Sequence, residues 1–181
     1  MISRTVIALT FVLLLIVPTS AFQKRDHLTP QEVDLVKENQ VLDKRIEVFI
    51  KAAERRLIVI NGTAATNAKQ LKKDAEKWGE LPAGSRSELV GDIARILNEA
   101  ITNIDDVSSR DERNPLIPKA LRKLAASTTS IMERLKPVRA EAKSEDDISN
   151  LESLNEYAQS ILDAANKLPA EVDKKAAKKK N

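Results

Sequence analysis

The sequence predicts an all-α protein, an antiparallel four-helix bundle with an extra short helix between helices one and two, preceded by a signal peptide. Three observations predict it. Apolar residues recur with helical spacing along four long segments, and none alternates as a strand would. The 181 residues include only four Gly, and β-branched residues fall on the helical stripes. Three segment starts also carry the residue pattern of a capped helix.

Helix one is expected to start at Thr29. Thr29 is the cap, Pro30 takes the first helical position and Glu32 closes a capping box. Leu28 is placed to pack back on Val33. The pattern continues to Ile60, where Asn61-Gly62 offers a left-handed stop. A continuous helix of that length would reach about 46 Å. Its main stripe is Leu35, Leu42, Ile46, Phe49, Ala53, Leu57 and Ile60, and a thinner line runs through Val41, Val48, Ala52 and Val59. Two apolar lines imply neighbours on two sides, or one line kept for a partner.

Leu71, Ala75 and Trp78 share a face of a short helix ending at Gly79, and "ELPAGS" reads as a turn. Helix two follows from Ser85, with Glu88 completing a second box. Its stripe from Leu89 to Val107 is set against Asp92, Arg95 and Glu99 on the other face. Helix three starts near Pro118, and Ile117, Leu121, Leu124, Thr128, Ile131, Leu135 and Val138 make a coiled-coil-like seam. Pro137 should kink or end it, because it lacks the N–H that bonds one turn back. Helix four begins after Ser144 with three acidic residues at its positive end, and stops at Pro169.

The domain organisation follows: signal peptide over 1–21, a flexible lead over 22–28, the helical body over 29–169 and a Lys-rich disordered tail over 170–181. Arg4, the 13-residue apolar run Thr5–Val17, Pro18 and the small residues Thr19-Ser20-Ala21 have the layout of an export signal. The run is shorter than the roughly 20 residues of a membrane span. Export to a periplasm or the exterior is therefore expected, with N-terminal membrane anchoring as the alternative. The absence of Cys removes disulfides, thiolate chemistry and Cys-based metal sites.

The formal charge of +3 divides unevenly along the chain. Residues 26–169 hold 22 basic and 25 acidic side chains, whereas the tail carries Lys174, Lys175, Lys178, Lys179 and Lys180. A mildly acidic body argues against specific nucleic-acid binding. The tail is a candidate contact for a polyanion or an anionic membrane surface.

No catalytic, cofactor or metal site is expected. The single His, His27, precedes helix one in the lead, where it is expected to be mobile. Asp43 and Glu47 share a helix face among Lys44, Arg45, Lys51 and Arg55, which reads as charge pairing on a solvated face. "LTPQE" at 28–32 resembles the L-T-x-x-Q motif of small periplasmic stress chaperones at Leu28, Thr29 and Pro30, with Glu32 where that motif has Gln. The stretch is equally the start of a capped helix. The functional expectation is a non-enzymatic exported helical protein acting through protein contacts, as an adaptor or structural component, or through self-association. Its candidate partner-binding residues are Val41, Val48, Ala52 and Val59. The alternative is a periplasmic holdase-type chaperone or an envelope-surface binding protein.

Overall fold

The computed structural model describes residues 25–169. The expected export signal and the Lys-rich tail lie outside the described residues. Among the described residues the chain is all-helical, with seven helices and no strand. They are α1 (Pro30–Glu38), α2 (Leu42–Ile60), α3 (Ala68–Trp78), α4 (Arg86–Arg110), α5 (Leu116–Arg134), α6 (Lys136–Glu141) and α7 (Glu145–Asn166).

The caps form where residue chemistry places them. Thr29, Ser85 and Ser144 each accept from the backbone N–H three residues on, and Glu32, Glu88 and Asp147 return the bond to the cap backbone. Each box satisfies two N–H groups that a helix start leaves without partners. These bonds, with the Ser85 backbone N–H the largest influence at Glu88 and the Ser144 hydroxyl at Asp147, hold both carboxyls below their usual range.

The long first helix is two helices. Asn39 ends α1, its backbone N–H and its side-chain amide both donating to the Leu35 carbonyl at 3.2 and 2.7 Å. A side chain that takes the carbonyl a helix needs weakens continuation of that helix. Arg45 then clamps the break, donating to the Asn39 carbonyl and the Gln40 side chain. A second break falls at Leu135, before Pro137 in the first turn of α6, where the missing proline N–H makes one natural.

The longest helices pack pairwise. α4 lies against α2 and α7, α5 lies against the same two, and α4 and α5 touch less closely. Side-chain pairs fix the directions. Asp43 meets Lys119 and Glu47 meets Lys123, a constant offset, so α2 and α5 run the same way. Arg45 near the start of α2 bonds Asn103 late in α4, so those two are opposed. Asn150 near the start of α7 bonds Ser87 in the first turn of α4, so both begin at one end. Arg122 early in α5 reaches the Pro169 carbonyl just past α7, which opposes α5 to α7. Successive long helices therefore alternate, as expected, but two of the lateral contacts join parallel helices, not the antiparallel neighbours the sequence suggested.

The interior is hydrocarbon. Ile46, Phe49, Leu57, Ile93, Leu97, Leu124 and Leu154 are completely shielded from solvent. Each such side chain contributes about 1.5–3 kcal/mol on burial. At Gly91 a Cβ would lie 2.7 Å from the Asn150 Oδ1, so glycine is what lets α7 approach α4 there.

Candidate functional site

Three charged side chains are buried together where α1 meets α2. Glu32 is fully shielded, and Arg55 and Arg56 are each 1% exposed. The Glu32 Oε1 accepts from Arg55 Nε at 3.3 Å and from Arg56 Nη1 at 2.6 Å. Its Oε2 accepts from the Thr29 backbone N–H at 2.9 Å. One carboxylate thus closes a helix cap and neutralises a buried cation. In an unbroken helix, residues 32 and 56 would stand about 36 Å apart. The break at residues 39–41 is what allows the contact.

One carboxylate cannot balance two guanidiniums, and backbone carbonyls supply the rest. Arg56 donates to the carbonyls of Ala52 and His27 at 2.9 and 2.6 Å. Arg55 Nη2 points at the carbonyls of Trp78, Gly79 and Glu80, where α3 ends. The Trp78 carbonyl is at the negative end of the α3 dipole, which favours a cation. Arg55 also lies 5.8 Å from the Trp78 ring centroid, within range of a cation–π contact. Burial pushes the Arg55 guanidinium below its ordinary value and Glu32 opposes the shift. It remains charged, as arginine does in proteins.

The same Arg55 therefore fixes two elements, α1 through Glu32 and the end of α3 through its carbonyls. α3 has little else to hold it. None of its side chains is buried; Leu71 and Trp78 are half-buried and Ala75 is exposed. Lys51 pairs with Asp74 at 3.1 Å across a crevice of about 200 Å³ between α2 and α3. Burial pushes the Asp74 carboxyl up, but Lys51 outweighs it and the net shift is downward. The outward side of α3 carries Lys69, Lys72, Lys73 and Lys77, all exposed and, among the described residues, outside any ion pair.

A second ionic group holds the lead to α4. Asp92, fully shielded, binds Arg25 at 2.8 Å and Arg95 at 2.6 Å. His27 lies 2.7 Å from Glu99. His27 is thus fixed, contrary to the expected mobility, and Asp92 is not on a solvated face. Both corrections have one cause: residues 25–29 cross α4 and cover its polar side. Arg25, Ser85, Ser87, Glu88, Asp146 and Asn150 help to line a cleft of about 460 Å³ where α4 and α7 begin.

The other expected site residues fall as follows. Val48 and Ala52 are interior, Val59 is half-buried and Val41 is 52% exposed. The thinner line on helix one is therefore not a continuous free surface, because α1, tied through Glu32 to Arg55 and Arg56 on either side of Ala52, folds back over that side of α2. Asp43 is also interior at its edge, 3% exposed and paired with Lys119, while Glu47 pairs with Lys44 and Lys123. The bonds from Lys119 and Lys123 hold these two carboxyls below their usual range. The five tail lysines, Lys174, Lys175, Lys178, Lys179 and Lys180, lie outside the described residues.

The buried arginines were missed in sequence, although a signal was present. Counting alternately by four and three from Leu42 gives Ile46, Phe49, Ala53, Arg56 and Ile60. Arg56 stands where an apolar residue is due. Glu32 holds the corresponding place between Leu28 and Leu35. A charge in an apolar seam on each of two helices is the trace of a buried ion pair.

No protein-family model, curated protein or solved structure matches this chain.

Proposed function

We propose that this is an exported, non-enzymatic protein in which α2, α4, α5 and α7 form a four-helix scaffold presenting α3 to a binding partner at the cell envelope. The observation that carries the reading is the state of α3. It has apolar and charged residues on separate sides, yet the fold buries none of them. A helix of this kind is normally stabilised by packing of its apolar side. Here its far end is pinned by the buried Arg55, which puts the helix in a set place while leaving its surface free.

The charged residues around the scaffold support a structural role for themselves. Glu32, Asp92, Asp43 and Glu47 each meet one or more cations of another element, and the one His meets Glu99. A general acid or base needs a carboxyl or imidazole facing a substrate, and these face their partners.

Photo-crosslinking in cells tests the reading. A photoreactive residue at position 73 on α3 is expected to capture a recurrent partner, whereas one at position 152, exposed on α7, captures little. Equal capture at both positions, or none at either, would overturn it.

A further inference from the structure

We infer that the outward side of α3 is a docking surface for anionic lipid headgroups. The inference rests on α3 being the contact element and names what it contacts.

At 100° per residue, Leu71, Ala75 and Trp78 span about 60° of the helix, while Lys72, Lys69, Lys73 and Lys77 fan over about 140° on the other side. Asp74, at the border, is turned inward to Lys51 and so does not cancel the outward charge. Glu76 is the one outward carboxylate on α3. Asp34 and Glu38 of α1 join it around a cleft of about 400 Å³ at the Lys77 end. The positive surface is accordingly strongest over Lys69, Lys72 and Lys73.

Lysine separated from an apolar strip on a short helix is the composition of an element that lies on a membrane surface. Size favours lipid over an acidic protein. Eleven residues make a helix of about 16 Å, too small to supply the roughly 800 Å² per partner of a stable protein interface. An anionic bilayer needs no matching surface, because attraction accumulates per basic residue, on the order of fivefold each. Leu71 and Trp78 are half-buried on the inner side, and Arg55 holds the end of the helix through the carbonyls of Trp78 and Gly79, so the lysines are what face the bilayer. Among the described residues no helix is long and apolar enough to cross a membrane, so contact would be peripheral and salt-sensitive.

The chain has a single Trp, and it is in α3. Its emission therefore reports on this helix alone. The protein, purified as the cell exports it, is titrated with vesicles of phosphatidylglycerol in phosphatidylcholine and with vesicles of phosphatidylcholine only. Binding to the anionic vesicles, measured by co-sedimentation and by Trp78 emission, should be at least about tenfold tighter. The variant carrying Lys69→Gln, Lys72→Gln, Lys73→Gln and Lys77→Gln should lose about tenfold or more while its helicity is unchanged. Two results would overturn the inference: undiminished binding by that variant, or equal affinity for polyglutamate. If crosslinks from position 73 persist while vesicle binding is absent, α3 remains the contact element and only the lipid assignment falls. If both are absent, both fall.

Discussion

The interior between α2, α4, α5 and α7 and the flank made by α1 and α3 are held by different forces. The interior is hydrocarbon, with Ile46, Phe49, Leu97 and Leu154 wholly shielded and interlocked across helices. The flank is joined to it through charge: Glu32, Arg55 and Arg56, with carbonyls of His27, Trp78, Gly79 and Glu80. Hydrocarbon packing is strong but lacks direction, so it fixes stability better than position. Charged hydrogen bonds are directional, and their gain is offset by desolvation. The expected outcome is a molecule whose stability lies in one region and whose positional precision lies in the other.

The largest effect should come from the interior. Phe49→Ala is expected to cost about 3–5 kcal/mol and to lower the melting temperature by roughly 10 °C or more in calorimetry. Protection against hydrogen exchange should fall in all the long helices together. Loss confined to one helix would mean that the interior is not one unit.

Glu32→Gln comes next. Two buried guanidiniums would lose their carboxylate, at a cost of about 3–5 kcal/mol if the cluster stays buried. Because these charged contacts join α1 and the end of α3 to the rest, exchange should rise first in α1 and at the end of α3, with the interior less affected. The comparison sharpens if Glu32→Leu, Arg55→Met and Arg56→Leu are combined. That triple variant should regain stability, yet α3 should lose its fixed placement. A stable variant with α3 unmoved would show that charge was not what positioned it.

A smaller change tests how closely the interior fits. Gly91→Ala would bring a methyl to 2.7 Å from Asn150 Oδ1, at an expected cost of about 1–3 kcal/mol. Adding Asn150→Ala should relieve part of that, and a double-mutant cycle measures the coupling. Additive changes would mean that the two helices adjust independently.

The mildest test is pH. Asp43 and Glu47 have folded carboxyls lowered by Lys119 and Lys123 from reference values of 3.8 and 4.5. A lowered folded pKa means that the unfolded chain binds more protons over that range. The stabilisation is therefore present at neutral pH and fades as pH drops below about 4.5 through the folded values. Melting temperature should be nearly level from neutral to mildly acid pH, then fall. Asp43→Asn should weaken the acid dependence, and an unchanged curve would show that the Lys119 contact contributes nothing.

The sequence by itself determined the helices and their starts. Thr29, Ser85 and Ser144 cap three of them in the boxes their neighbours allow, and Pro137 and Gly79 mark ends where local chemistry requires them. These are contacts within a few residues, so local order contains them. The break after Glu38 was legible only in part, because Asn39 and Gln40 are tolerated inside a helix and only Arg45 and the Glu32 contact show why the chain turns there. The candidate site was less legible still. Val48 and Ala52 look like a spare apolar line, and Arg55 looks solvated, until α1 folds back over that side of α2. Only the tertiary structure decided which sides of α2 are covered, because that depends on residues far away in sequence. The same decision left α3, pinned at one end by Arg55, as the helix whose surface remains available.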